Sequence, residues 1–190
     1  MHYLHMNQDG IVPEALWIGS PNYDDRPQNL KTNLSQTLPD ISLIVVHNIS
    51  LPPNEYGGNS IIELFTNTLN PDAHPYYAEI CTRRVSAHFL IRRDGQLLQF
   101  VSCLQRAWHA GVSQWQGRER CNDFSVGIEL EGSDFESFTV VQYSMLNALI
   151  AILKDTYAIM SIVGHSDIAP GRKTDPGPFF DWEKLDVRTQ

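Results

Sequence analysis

Apolar residues along this chain gather in short blocks, and the spacing within each block predicts an element. Ile41–His47 (ISLIVVH) is short and rich in branched aliphatics, which suits a buried central strand. Phe124–Leu130 (FSVGIEL) predicts a second strand, and Ser161–Val163 a third, shorter one. His88–Val101 reads as a hairpin turning at Asp94-Gly95, the kind of dipeptide that two-residue connections prefer. Met145, Leu146, Leu149, Ile150 and Leu153 recur at helical spacing, and Thr139 with Gln142 ahead of them has the form of a capping box. Ser60 with Glu63 has the same form and predicts a short helix through Ile61, Ile62, Leu64 and Phe65, closed by Asn70-Pro71. Between these lie a forced loop at Leu51–Gly58 (LPPNEYGG) and a Pro/Gly-rich tail at Ile168–Pro178. Residues 1–40, punctuated by Pro13, Pro21, Pro27 and Pro39, read as irregular and polar. Strands mixed with helices, one pair forming a hairpin, predict an α/β fold: a single domain over 1–190, with a central mixed sheet flanked by helices. Residues 1–19 form an irregular lead-in, and no internal repeat is present.

Composition narrows the class. Hydrophobic residues at 42% and charged residues at 19% belong to an ordinary globular domain, not a disordered chain. A formal net charge of -8 argues against general affinity for nucleic acid or an anionic membrane. No apolar run approaches the ~20 residues that span a bilayer. The opening MHYLHMNQDG lacks a basic region followed by an apolar stretch, so a secretory signal is not expected. Cys81, Cys103 and Cys121 are odd in number and form no CxxC pair, which predicts free thiols, most simply in the cytoplasm; a mature exported chain is the alternative. Charge is uneven along the chain. From Arg83 to Arg120 seven arginines (Arg83, Arg84, Arg92, Arg93, Arg106, Arg118, Arg120) face only Asp94 and Glu119, either a solvated face or a site for a small anion.

Two of the seven histidines stand in similar settings: His47 ends a predicted strand, and His165 follows another. Strand ends are held by the sheet yet face the loops, and imidazole is a good zinc ligand, although a lone His is more often structural. Asp175, in KTDPGP, could complete a two-His, one-carboxylate set, with Pro176 stiffening its loop. Glu129 and Glu131 share one face of a strand that is otherwise apolar, so one is a candidate general base and a strand-end ion pair with Arg106 or Arg120 is the alternative. Alternation does not choose between the two glutamates. Trp108 and His109, in RAWHAG, occupy a loop after the hairpin, where the tryptophan is either a packing residue or a sugar or peptide contact. The cysteines read as buried hydrophobes.

Five segments taken in order carry a resemblance: VVHNIS (45–50), RVSAHFLIRRDG (84–95), RAWHAG (106–111), GRERCNDFSVGIELEG (117–132) and GHSDIAPGRKTDPGP (164–178). Together they resemble the AmpD-type N-acetylmuramoyl-L-alanine amidases, from about Ser20 to about Leu185. The resemblance implies the fold shared with peptidoglycan-recognition proteins and one Zn2+ held by His47, His165 and Asp175. It implies Glu129 as catalytic glutamate and Lys173 as catalytic lysine, with Asn48, Arg84, Trp108 and Arg120 as substrate contacts. The implied substrate is the 1,6-anhydro-muropeptide of cytoplasmic cell-wall recycling, with no obligate protein partner. A non-cutting muropeptide-binding module and an exported amidase acting on intact wall are the competing expectations.

Overall fold

A computed structural model of the chain describes residues 3–27 and 39–186. The strands are β1 (Leu16–Trp17), β2 (Tyr23–Asp25), β3 (Leu43–Ile49), β4 (Phe89–Ile91), β5 (Leu97–Gln99), β6 (Gln105–Ala107), β7 (Gln114–Trp115), β8 (Arg118–Glu119), β9 (Ser125–Glu131) and β10 (Ser161–Gly164). The helices are α1 (Ser60–Phe65), α2 (Pro75–Ile80), α3 (Val140–Thr156) and α4 (His165–Ile168). Six strands form the main sheet in the order β1-β5-β4-β9-β3-β10, and β2 with β6 and β7 with β8 form two small ribbons. Only the β4–β5 hairpin is antiparallel within the main sheet, so the sheet is mixed as the sequence predicts. Among the described residues, no helix is long and apolar enough to cross a membrane.

Alternation divides the two faces of this sheet. Ile44 and Val46 of β3, Phe89 and Ile91 of β4, and Val126, Ile128 and Leu130 of β9 pack under Leu146, Leu149, Ile150 and Leu153 of α3. Leu90, Leu98 and Phe100 face the other way, against Leu64 and Phe65 of α1 and Tyr77 and Ile80 of α2. His47, Ser125, Gly127, Glu129 and Glu131 occupy the alternate positions of β3 and β9, on the face away from α3. That face carries the polar groups.

The Thr139–Gln142 capping box forms as predicted. Gln142 N–H donates to Thr139 Oγ1 at 3.2 Å, and Thr139 N–H donates to Gln142 Oε1 at 3.0 Å. Gln142 Nε2 also donates to the carbonyls of Ile91 and Glu131, tying the helix to the ends of β4 and β9. The second expected box does not form. Asn59, not Ser60, is the N-cap, and Ser60 Oγ instead takes the Tyr77 hydroxyl proton at 2.7 Å. This helix also stops earlier than Asn70-Pro71, because Asn67 adopts a left-handed φ of 62° and Thr68 N–H returns to Glu63 O at 2.8 Å. The hairpin loop has three residues, Arg93–Gly95, with Gly95 at φ 86°, a wider turn than the two-residue one expected. The first central strand starts at Leu43 and continues through Ile49, two residues beyond the predicted end.

Within residues 1–40, read from sequence as irregular, β1 and β2 are strands of two and three residues, too short to leave a periodic trace. β1 falls inside the 1–19 lead-in and pairs with β5. Arg26, buried nearby, donates to the carbonyls of Cys103, Asn122, Asp123 and Ser125, pinning the entry to β9. Positions 1–2 and 28–38 of that segment lie outside the described residues.

Candidate metal centre and active site

Parallel pairing of β3 with β9 puts His47 directly opposite Glu129. One strand further out, β10 delivers His165 as the first residue of α4, and the following loop brings back Asp175, whose carbonyl accepts the Ser166 N–H at 2.9 Å. His47 Nδ1, His165 Nδ1 and Asp175 Oδ2 form a triangle with sides of 3.0, 3.0 and 3.0 Å. Both imidazoles are buried, at 1% and 2% exposure, whereas the Asp175 side chain keeps 14%.

The chemistry of this donor set points to a cation. His165 Nε2 lies 3.1 Å from the carbonyl of Ala110, which can only accept, so the ring proton sits there and Nδ1 presents a lone pair to the triangle. A carboxylate oxygen and a second imidazole nitrogen complete it, and one shared proton cannot satisfy three mutual contacts. A tetrahedral ion with bonds of about 2.0–2.1 Å spaces its ligand atoms by roughly 3.3 Å. The observed triangle is slightly tighter and needs only a small expansion. Three protein donors also leave the fourth position of such an ion open. Burial pushes His47 down to about 4, despite Asp175 beside it, so the ring is neutral as a ligand must be. Burial alone would raise Asp175, but His165 and His47 beside it hold its carboxyl well below the usual carboxylate range.

Glu129 faces the same space. Burial first, and then the charge of Asp175, push its pKa well above the ordinary value, with Lys173 opposing. Its Oε2 is buried and meets no hydrogen-bond donor among the described residues. Such an orphan is costly unless it serves the site. Glu131, two residues on, is fully occupied: it accepts from Gly57 N–H at 2.7 Å and Arg93 N–H at 3.1 Å, and faces Arg92 at 3.9 Å. Of the two glutamates, Glu131 is therefore the one held by partners, and the arginine facing it is Arg92 rather than Arg106 or Arg120.

A cavity of about 320 Å3 opens over this group, lined by His47, Asn48, Trp108, Glu129, His165, Lys173 and Asp175 together with Leu51, Tyr76 and Arg83. Asn48 Nδ2 donates to Asp134 Oδ1 at 2.7 Å and Pro176 O at 3.0 Å, bracing the loop that carries Asp175. Trp108 stands at the cavity wall with Nε1 donating to Asp24 Oδ1 at 3.0 Å. Arg84 and Arg120 are not brought to this lining. Arg84 Nη1 folds back on the carbonyl of Thr82 at 3.2 Å, whereas Arg120 Nε lies 3.4 Å from Asp123 and borders a separate hollow with Arg172. The arginine-rich stretch forms no single anion site. Arg92, Arg93, Arg106, Arg118 and Arg120 each meet a carboxylate, and Arg83 is the member that reaches the cavity.

No pattern in the sequence assigns a role to His109. Its Nδ1 lies 3.0 Å from His47 Nε2, and its Nε2 lies 3.1 Å from Ser125 Oγ. The signal in the sequence was indirect: Ser125 and Gly127 are small residues two apart on one face of a strand, which leaves space for a ring.

Residues 37–178 match the N-acetylmuramoyl-L-alanine amidase family. The 1,6-anhydro-N-acetylmuramyl-L-alanine amidase AmpD of Salmonella typhimurium strain SL1344 is 55% identical over 93% of this chain and 90% of its own length. AmpD of Escherichia coli K12 is 53% identical over 95% and 94%. A crystal structure of a selenomethionine AmpD derivative superposes with a TM-score of 0.86 at 53% identity, covering 95% of this chain and 96% of that one. The amidase AmiD of E. coli, solved with anhydro-N-acetylmuramic acid-L-Ala-D-gamma-Glu-L-Lys, is more distant, with a TM-score of 0.59 at 28% identity over 83% of this chain and 61% of that one. Sharing sequence and fold with AmpD over nearly its whole length, the chain belongs to the N-acetylmuramoyl-L-alanine amidase family, as an AmpD-type member.

Proposed function

We propose that this chain hydrolyses the amide bond between 1,6-anhydro-N-acetylmuramic acid and L-alanine in muropeptides, using Zn2+ held by His47, His165 and Asp175. The observation that carries the reading is the 3.0 Å triangle of metal-type donors with an unpaired carboxylate, Glu129, on the adjacent strand. A bound divalent ion supplies Lewis acidity, which lowers the pKa of water and polarises the scissile carbonyl. Glu129, kept basic by its surroundings, takes the proton of the attacking water and returns it to the departing alanine nitrogen, so that water and amide become acid and amine. The ammonium of Lys173 faces the negative charge that develops on the carbonyl oxygen, a contribution typically of about 3–4 kcal/mol for one preorganised donor. Trp108 and Asn48 border the cavity and are proposed to contact the sugar and stem. Arg84 and Arg120 are proposed to grip stem carboxylates, a role that requires both side chains to leave their present partners. AmpD relatives named for the anhydro substrate support the substrate class, and the free thiols of Cys81, Cys103 and Cys121 support a reducing compartment such as the cytoplasm.

The test is mass analysis of products from anhydro-muropeptide, with and without a chelator, beside metal quantification of the purified protein. Release of anhydro-N-acetylmuramic acid and free stem peptide, abolished by the chelator and restored by zinc, is expected. Tight binding of the muropeptide with no cleavage by the zinc-loaded protein would overturn the reading in favour of a binding module.

A further inference from the structure

We infer that His109 is a positioning residue of the metal centre: its Nδ1 accepts the Nε2 proton of His47 and so keeps the His47 Nδ1 lone pair directed at the ion. The inference rests on the metal reading above and concerns a group outside the triangle.

The argument is one of proton placement. His47 Nε2 and His109 Nδ1 are 3.0 Å apart, with the rings edge-on at 85°. One proton lies in that contact, and it belongs to one ring or the other. If His109 carried it, the remaining proton of neutral His47 would sit on Nδ1, inside the triangle and 3.0 Å from Asp175 Oδ2, where it would block ligation. If His47 carries it, Nδ1 is free to bind, and the proton of His109 moves to Nε2. That atom has a partner waiting, Ser125 Oγ at 3.1 Å.

His165 is handled in parallel, by the carbonyl of Ala110 at 3.1 Å. Adjacent residues of one segment thus orient both imidazole ligands, and Asn122 Oδ1 holds that segment by accepting from the backbone N–H of His109 at 3.2 Å and of Ala110 at 2.8 Å. A carbonyl sets its partner's tautomer unaided. An imidazole does not, and the buried hydroxyl of Ser125, which can donate or accept, accommodates the His109 Nε2 proton without dictating it. The seat of the ring is made to measure, because a Cβ on Gly127 would lie 2.6 Å from His109 Cδ2 and Nδ1.

The experiment compares wild type, His109→Leu and His109→Asn by zinc competition against a chromophoric chelator, with 15N-histidine NMR of the zinc-loaded wild type. Loss of an orienting partner typically weakens a metal site 10–100-fold, and a loss of that order is expected for His109→Leu. His109→Asn, whose amide oxygen takes the place of Nδ1, should recover most of it. In the NMR spectra His47 and His109 should both appear as Nε2–H tautomers. Unchanged zinc affinity in a folded His109→Leu protein, or a proton on His109 Nδ1, overturns the inference. If His109→Leu does not fold, the wild-type tautomer decides alone. A wild type that binds no zinc would refute the metal reading itself, a separate outcome.

Discussion

Gly127→Ala sets two expectations of opposite sign against each other. Gly127 lies within β9 at an ordinary strand position, and by intrinsic preference alanine there should stabilise the chain by about 0.5–1 kcal/mol. The tertiary structure reverses this. The added methyl would lie 2.6 Å from two atoms of the His109 ring and closer still to Cγ. Carbon atoms pack at roughly 3.5–4.0 Å, so the ring must lift by about 1 Å. Overpacking of this kind typically costs about 1–3 kcal/mol. Lifting also stretches the contacts to His47 and Ser125, each worth about 0.5–1.5 kcal/mol. The net expectation is destabilisation by about 1–3 kcal/mol, or a fall in Tm of roughly 3–10 °C for a chain of this size. Thermal unfolding in excess chelator reads the fold without a contribution from bound metal. Gly19→Ala is the control, since its Cβ would meet only the side chain of Trp17 at 3.6 Å or more, an ordinary contact. A Gly127→Ala protein that melts at or above the wild-type temperature would refute the claim that the His109 seat is sterically full.

Glu129→Gln should retain zinc and lower turnover by about 10²–10⁴-fold, while raising Tm, because a buried charge without a partner is removed. Full turnover with normal zinc content would remove Glu129 from the proton-transfer role. Gln142→Leu should cost about 2–4 kcal/mol in urea denaturation, since it opens the capping box and strands the carbonyls of Ile91 and Glu131. A loss below ~1 kcal/mol would show that the helix is held by its apolar face alone. Burial, reinforced by Arg26, depresses the pKa of His88 well below its ordinary value. This neutral ring therefore contributes stability above about 6.5 that is lost as pH falls towards its folded pKa. His88→Asn should flatten the dependence of unfolding free energy on pH between 6 and 5 by about 1 kcal/mol per unit, and an unchanged slope would contradict a buried neutral His88.

Local pattern made much of the architecture legible. The branched aliphatics of residues 43–46, the FSVGIEL block and the Thr139–Gln142 box each state their element within about ten residues, the range over which backbone period and capping act. Ser60 shows where this reasoning fails: a hydroxyl in capping position was claimed by Tyr77, from another helix. β1 and β2 are not legible in the sequence because two or three residues carry no period, and their pairing comes from neighbours far along the chain.

The site divides along the same line. Its residue types could be named from the sequence, and five ordered segments pointed to two histidines, an aspartate and a glutamate with specific roles. Strand order alone brings His47 and His165 together across 118 residues, and register alone sets Glu129, not Glu131, opposite His47. Pairing the arginines with distant carboxylates, and seating His109 over Gly127, are likewise products of the assembled sheet. Periodicity and capping are properties of a dozen consecutive residues, so the chain states them directly. Convergence of lone pairs on one point depends on which strands lie side by side, and only the folded sheet decides that.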